Sequence, residues 1–207
     1  MMVNFDTLDF LIGVALLAIL LPIVWWRKRN LSYLLFFSLF WVYLLAVVSV
    51  VIFPFVIATA DQAAHFTLSI NLIPFYFGSC FTFMPALCAA GLVDNILFTI
   101  PGGFGINFLT RVGPGKIIWL ALATGLGFEL AQLFISLLFK SSFRAIDIND
   151  AIFNASGVLL GYALYRAFAW AYAGAVNRFG FKPKGLAADI YDIVIQAHVA
   201  GKSIKAD

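Results

Sequence analysis

Residues 144–161 read RAIDINDAIFNASGVLLG, an arginine and two aspartates leading straight into an apolar stretch. Wound as an α-helix, Asp147, Asp150, Asn154, Gly157 and Gly161 recur at steps of three and four and so share one face. That face starts charged and finishes in glycine. Charged groups beside a helix at membrane depth are costly unless they pair, hydrogen-bond or line water, so the stripe marks a candidate site. A solvated first turn, with an aspartate favoured by the positive end of the helix dipole, would account for Asp147 alone. It does not account for Asp150 and Asn154, which lie deeper.

The rest of the chain supplies the membrane. Of its 207 residues 63% are hydrophobic and only 11% charged, where soluble domains carry about a quarter charged. Several apolar runs reach or approach the roughly 20 residues that cross the hydrocarbon as a helix. The net charge of +3 is small, and most of the basic residues sit at the ends of apolar runs. That pattern reports orientation and excludes a nucleic-acid footprint. Cys80 and Cys88 show no metal or redox spacing and read as small apolar core residues, with a disulfide open to them if their segment faces an oxidising compartment.

In order, the apolar run 8–26 is preceded by Asp6 and Asp9 and followed by Arg27, Lys28 and Arg29. A secretory signal has its charge before the run and small residues after it, so this is a retained helix with its basic end in the cytoplasm. Residues 33–58 return across the membrane. The stretch 59–90 holds Asp61, Gln62, His65 and an aromatic-rich segment with Pro74 and Pro85, and is expected to be interfacial or re-entrant. Residues 92–109 form a short span broken at Pro101, Gly102 and Gly103, with Arg111 and Lys116 after it. Residues 117–139 rise again, carrying Gly125, Glu129, Gln132 and Ser136 on one polar face. The last span is 148–170, followed by Arg178, Lys182 and Lys184.

The expected fold is therefore all-α, a polytopic transmembrane helical bundle of about five spans. It divides into two N-terminal helices (1–58), a core with an outer loop and three helices (59–170) and a cytoplasmic tail (171–207). The basic clusters after the first, third and fifth runs place the N-terminus outside a plasma membrane and the C-terminus in the cytoplasm. In the tail Ile190, Ile193, Val194 and Ala197 make an apolar stripe suited to a small amphipathic helix on the inner membrane surface.

With this topology Asn95, Glu129, Gln132, Asp150 and Asn154 share the outer level of their spans, and Arg144 in the adjoining loop can fold back to neutralise Glu129 or Asp150. One outward polar pocket is the expectation, with Asn95, Glu129, Gln132, Arg144, Asp147, Asp150 and Asn154 as ligand-binding residues. Gly157 and Gly161, spaced small-xxx-small, would let the last helix approach a neighbour just below it. Polar groups serving only as glue are the competing account, but interhelical hydrogen bonds contribute only about 0.6 kcal/mol each on average.

Four motifs resemble the VanZ-like membrane proteins. They are NLIPF at 71–75, Asn95 with Phe98 and Gly102, Glu129-x-x-Gln132, and R-x-x-D-x-x-D-x-x-x-N-x-x-G from Arg144 to Gly157. Phe98 stands one place nearer the asparagine than the pattern asks. The resemblance spans 71–161 and implies a bacterial-type cell-envelope protein with an outward polar site. The family's namesake is associated with resistance to the glycopeptide antibiotic teicoplanin, by a mechanism not established. Three functions compete. The first is a non-enzymatic binder of an amphiphile such as a lipid-linked envelope precursor or lipoglycopeptide, and the second an enzyme acting on a lipid or glycan headgroup with Glu129 or Asp150 as acid or base. The third is a small transporter using Glu129. Membrane lipid is the expected partner, without nucleic acid, and no cofactor or metal is expected.

Overall fold

A helix with alanine, glycine and asparagine along one side packs poorly against lipid chains but well against other helices, because small residues let backbones approach. In a computed structural model that describes residues 1–140 and 144–203, such a helix is the centre of the molecule. It is α7, Ile148–Phe179, and it buries Ala151, Asn154, Gly157, Val158, Gly161, Tyr165, Ala169 and Ala173 among its neighbours. The other long helices are α1 (Thr7–Lys28), α2 (Leu31–Val51), α5 (Pro85–Gly105, continued by a 3₁₀ turn to Phe108) and α6 (Pro114–Phe139). Short helices α3 (Ala60–Ala64) and α4 (Cys80–Phe83) lie between α2 and α5, and α8 (Leu186–Ser203) follows α7. The architecture is all-α, a helical membrane bundle.

Among the described residues α1, α2, α5 with its 3₁₀ turn, and α6 are long and apolar enough to cross a membrane. The expected fifth span, α7, is not among them. Its 32 residues make a rod of about 48 Å at 1.5 Å per residue, so length is no obstacle. It is less apolar because α5 and α6 shield it, and a helix clad in protein need not match hydrocarbon on every side. It also continues past Trp170, where the last span was expected to end, to Phe179.

The packing of α7 is set by glycines. A Cβ at Gly157 would strike the Ile96 carbonyl oxygen and Thr99 Oγ1, and one at Gly161 would strike the Ile100 carbonyl. From the other side Gly103 of α5 admits the Val158 carbonyl, and Gly125 of α6 admits that of Ala151. The order of the α5 pairs makes α5 parallel to α7, and Gly125 beside Ala151 with Glu129 beside Asp147 makes α6 antiparallel to both. Two further helices flank this trio. Trp41 Nε1 of α2 donates to the carbonyl of Gly13 in α1 at 2.9 Å, and Tyr43 Oη donates to Phe98 O of α5 at 3.1 Å.

That last bond bears on a correction. Pro101 does not break the third span; it sits inside α5, which starts at Pro85, earlier than expected. Proline removes one helical N–H bond and loosens the turn before it, and the Tyr43 hydroxyl fills that turn because Gly102 leaves room beside it.

The helices define two ends. At the acidic end the chain start pairs with the segment after α2, β1 (Met2–Val3) running antiparallel to β2 (Phe55–Val56). There too β3 (Ile70–Asn71) runs parallel to β4 (Ile146–Asp147), tying the segment before α5 to the start of α7. Residues 52–84 contain no long helix, and Leu72, Ile73, Phe75, Tyr76 and Phe83 are exposed, as an interfacial segment requires. Cys80 and Cys88 are not independent core residues: they form a disulfide joining α4 to the first turn of α5.

At the basic end, which carries Arg27, Lys28, Arg29 and Arg111, α8 does not lie alone on a membrane surface. Val194 and Ile190 pack on Ala169, Ala173 and Phe168 of α7, and Tyr172 Oη donates to Ala187 O at 3.0 Å. The stripe's last member, Ala197, is beyond the described side chains, and 204–207 lie outside the described residues.

Gly157→Ala should destabilise the protein by about 1–3 kcal/mol, because backbone on α5 must move to admit the methyl. Gly174→Ala, at a position of α7 with open space beside it, should stabilise it by up to about 1 kcal/mol through helix propensity. Thermal unfolding in detergent checks both; equal shifts would contradict the packing.

Candidate functional site

The site is built from the first turn of α7. Asp147 is its N-cap, with Oδ1 accepting from Asn149 N at 2.8 Å, the usual way an aspartate satisfies an orphan donor at a helix start. Its own backbone N–H donates to Glu129 Oε2 of α6 at 2.8 Å. The carboxylate of Glu129, only 7% exposed, therefore holds the start of the neighbouring helix.

The aromatic-rich segment is strapped to the same turn. Asn71 Nδ2 donates to both Asp147 carboxylate oxygens at 3.0 and 3.1 Å and to Tyr76 O at 2.9 Å. Asn149, 1% exposed, donates from Nδ2 to Tyr76 O at 2.9 Å and accepts from Phe75 N. Phe75 has φ 60°, a left-handed conformation that a phenylalanine rarely adopts. The two asparagines hold it there by satisfying the backbone around it.

With its start fixed, α7 directs the next residues inward. Asp150 Oδ1 accepts from Asn95 Nδ2 of α5 at 2.8 Å. One turn deeper, Thr99 Oγ1 lies 2.8 Å from Asn154 O and 2.9 Å from Asn95 O, so its single hydrogen is shared between the two helices. Gln132 Nε2 of α6 donates to Val51 O at the end of α2, at 3.2 Å. From the loop before β4, Arg144 reaches the same place and donates through Nη2 to Val50 O at 2.8 Å and Phe53 O at 2.9 Å.

These groups surround a cavity of about 420 Å³ at the acidic end of the bundle. Of the seven residues expected to bind a ligand, Asn95, Glu129, Gln132, Arg144, Asp150 and Asn154 line it. Asp147 does not; its carboxylate is turned toward Asn71 and Asn149 and serves the helix cap. Gly157 and Gly161 lie below, in the contact with α5. The rim is apolar, from Val50, Val51, Leu97, Phe98 and Phe128.

Arg144 differs from its expected role. Among the described residues no carboxylate closes an ion pair on it; its Nη2 is spent on the frayed end of α2, and its Nε is buried without a hydrogen-bond partner. Burial lowers the pKa of the guanidinium, and the negative charges of Asp150 and Glu129 offset part of that shift. The arginine thus acts on both carboxylates through space. Among the described residues no three His, Cys, Asp or Glu side chains are placed to share a metal ion.

Sequence reasoning passed over Asp94, which also lines the cavity. The signal was present, since a carboxylate in a span is expensive wherever it falls. It also passed over Asn149, which lies outside the 147–150–154 spacing and becomes legible only when the loop it straps is seen.

Neither a curated protein nor a solved structure shows significant similarity to the chain. The family model VanZ/LLP1 matches residues 40–169, a stretch that runs from α2 into α7 and contains every residue lining this cavity. Built on that stretch, the chain belongs to the VanZ/LLP1 family.

Proposed function

We propose that the acidic-end cavity faces the outside of the cell membrane and binds the polar part of an amphiphile, either a lipid-linked envelope precursor or a lipoglycopeptide. The observation that carries this is the joining of two surfaces. Carboxylate, amide and guanidinium groups from α5, α6, α7 and the loop before it meet inside, and apolar side chains of α2, α5 and α6 form the rim. A headgroup fits the first surface and an acyl or prenyl chain the second. The buried Arg144 Nε, without a partner among the described residues, is a donor suited to a phosphate or carboxylate oxygen. Asn154 and Gln132 add neutral hydrogen bonds. Antibiotic resistance would follow if holding such a ligand changed the drug's access to its target.

The orientation rests on the cations at the opposite end, Arg27, Lys28, Arg29, Arg111, Lys116, Arg178, Lys182 and Lys184, which retain their side in the cytoplasm. The Cys80–Cys88 disulfide at the acidic end supports it, since disulfides persist in oxidising compartments.

A second reading is favoured by one observation, the three carboxylates of Asp94, Glu129 and Asp150 around one cavity beside a guanidinium. Glu129 or Asp150 could then pass a proton to or from a lipid or glycan headgroup while Arg144 stabilises developing negative charge. A transporter lacks support of this kind: Val158 of α7 and Ile117 and Ala121 of α6, all buried, fill the level beneath the cavity.

In nanodiscs the purified protein should bind a polyprenyl-diphosphate-linked glycan precursor or teicoplanin, and Arg144→Gln and Gln132→Leu should each weaken binding about tenfold, the loss expected for one hydrogen bond to the headgroup. Unchanged affinity in both well-folded variants would end the binding proposal. If the site is an enzyme instead, the same panel should show turnover that Glu129→Gln abolishes, followed by chromatography of the lipid products. A panel left intact by the wild-type protein would exclude that reading.

A further inference from the structure

The cations that set the orientation also converge. At the basic end a second cavity of about 590 Å³ opens between the α1–α2 turn, the α5–α6 turn, the middle of α7 and α8. Lys28, Arg111 and Arg166 line it, each from a different one of the first three elements. Behind them runs an aromatic wall, with Phe36 and Phe108 rings 4.7 Å apart and Phe108 and Tyr165 rings 5.7 Å apart, edge to face. Lys28 Nζ sits 5.0 Å above the ring of Tyr33, which also lines the cavity.

Two carboxylates share the space, and they are not equivalent. Asp189 of α8 accepts from Ser32 Oγ and, at 3.5 Å, from Asn30 Nδ2, so it is engaged in docking α8 onto the α1–α2 turn. Asp192 also faces the cavity and lowers its positive potential. Among the described lining residues there are three cations and two anions, and Arg166 keeps a further contact of its own. The start of α6 adds to the cations: Gly113 and Pro114 line the cavity and the helix has no side-chain cap there, so the positive end of its dipole lies beside the same volume.

A compact cation set beside an aromatic wall suits a ligand that is anionic at one end and apolar at the other. Guanidinium groups favour phosphate, whose oxygens match their paired donors. The acidic-end cavity is a separate feature: Val158 on α7 and Ile117 and Ala121 on α6 lie between the two.

We propose that the basic-end cavity is a second binding site, for a phosphate ester, with Arg111, Arg166 and the start of α6 holding the phosphate oxygens and the Phe36–Phe108–Tyr165 wall receiving an apolar chain. Lys28 adds charge from the side, and Asp192 sets an upper limit on affinity. The phosphate could be the headgroup of a lipid or belong to a soluble ester.

The test uses the full chain in neutral detergent, titrated separately with dihexanoyl phosphatidic acid, dihexanoyl phosphatidylcholine and inorganic phosphate. Phosphatidic acid should bind in preference to phosphatidylcholine, and Arg111→Gln and Arg166→Gln should each weaken it about tenfold. Replacing Lys182 and Lys184, exposed cations at the same end, with glutamine should leave it unchanged. Asp192→Asn should tighten binding by roughly two- to fivefold, a gain that a misfolded variant cannot mimic. Binding of phosphatidic acid without inorganic phosphate identifies a lipid ligand; binding of both, with the same dependence on Arg111 and Arg166, identifies the phosphate group itself. Failure of both to bind, equal affinity in the arginine variants, or loss of binding in Asp192→Asn would overturn the proposal.

Discussion

The close contact of α7 with α5 and α6 is the constraint on which the remaining structure depends. In lipid there is no hydrophobic drive to bring helices together, so association relies on backbone proximity and on polar groups that find each other. Gly157 and Gly161 remove the side chains that would keep α7 and α5 apart, and Gly125 does the same for α6. Only at that separation can Thr99 reach Asn154 O and Asn95 reach Asp150. The polar site is thus a consequence of the glycine contact, not an addition to it.

The start of α7 solves a second problem of membrane depth. A helix that begins inside a bundle exposes donors that water cannot satisfy, and each costs several kcal/mol if left alone (about 1–3 in measured proteins). Here the N-cap Asp147 accepts from Asn149 N–H, and Glu129 of α6 accepts from the Asp147 N–H. Asn71 and Asn149 extend the arrangement into the loop that covers the acidic end. One cluster of side chains therefore starts a helix, fixes an irregular loop and aims Asp150 into the cavity.

The two ends of the bundle carry cavities of opposite character. Among the described residues the acidic-end space holds three carboxylates and one arginine, and the basic-end space three cations and two carboxylates, one of them engaged by the α1–α2 turn. Small and branched residues of α6 and α7 fill the level between them. Among the described residues, Ile117, Ala121 and Val158 separate the two cavities.

Hydropathy and charge placement determined the membrane bundle and its basic end, because burial in lipid is enforced residue by residue and leaves its mark along the chain. The three-and-four spacing from Asp147 to Gly161 likewise determined which side of α7 turns toward protein. Local pattern failed where an answer depends on a partner distant in sequence. Pro101 looked like a break because nothing near it announces the Tyr43 hydroxyl that bonds Phe98 O in the turn before it; Asp147 looked like a ligand because its donors, Asn71 and Asn149, are known only from the fold. Arg144 looked like the partner of a carboxylate, yet the tertiary structure assigned it the carbonyls of Val50 and Phe53. A single helix states which of its faces is polar; which side chain meets which across that face is decided only when three helices close to within a backbone's width.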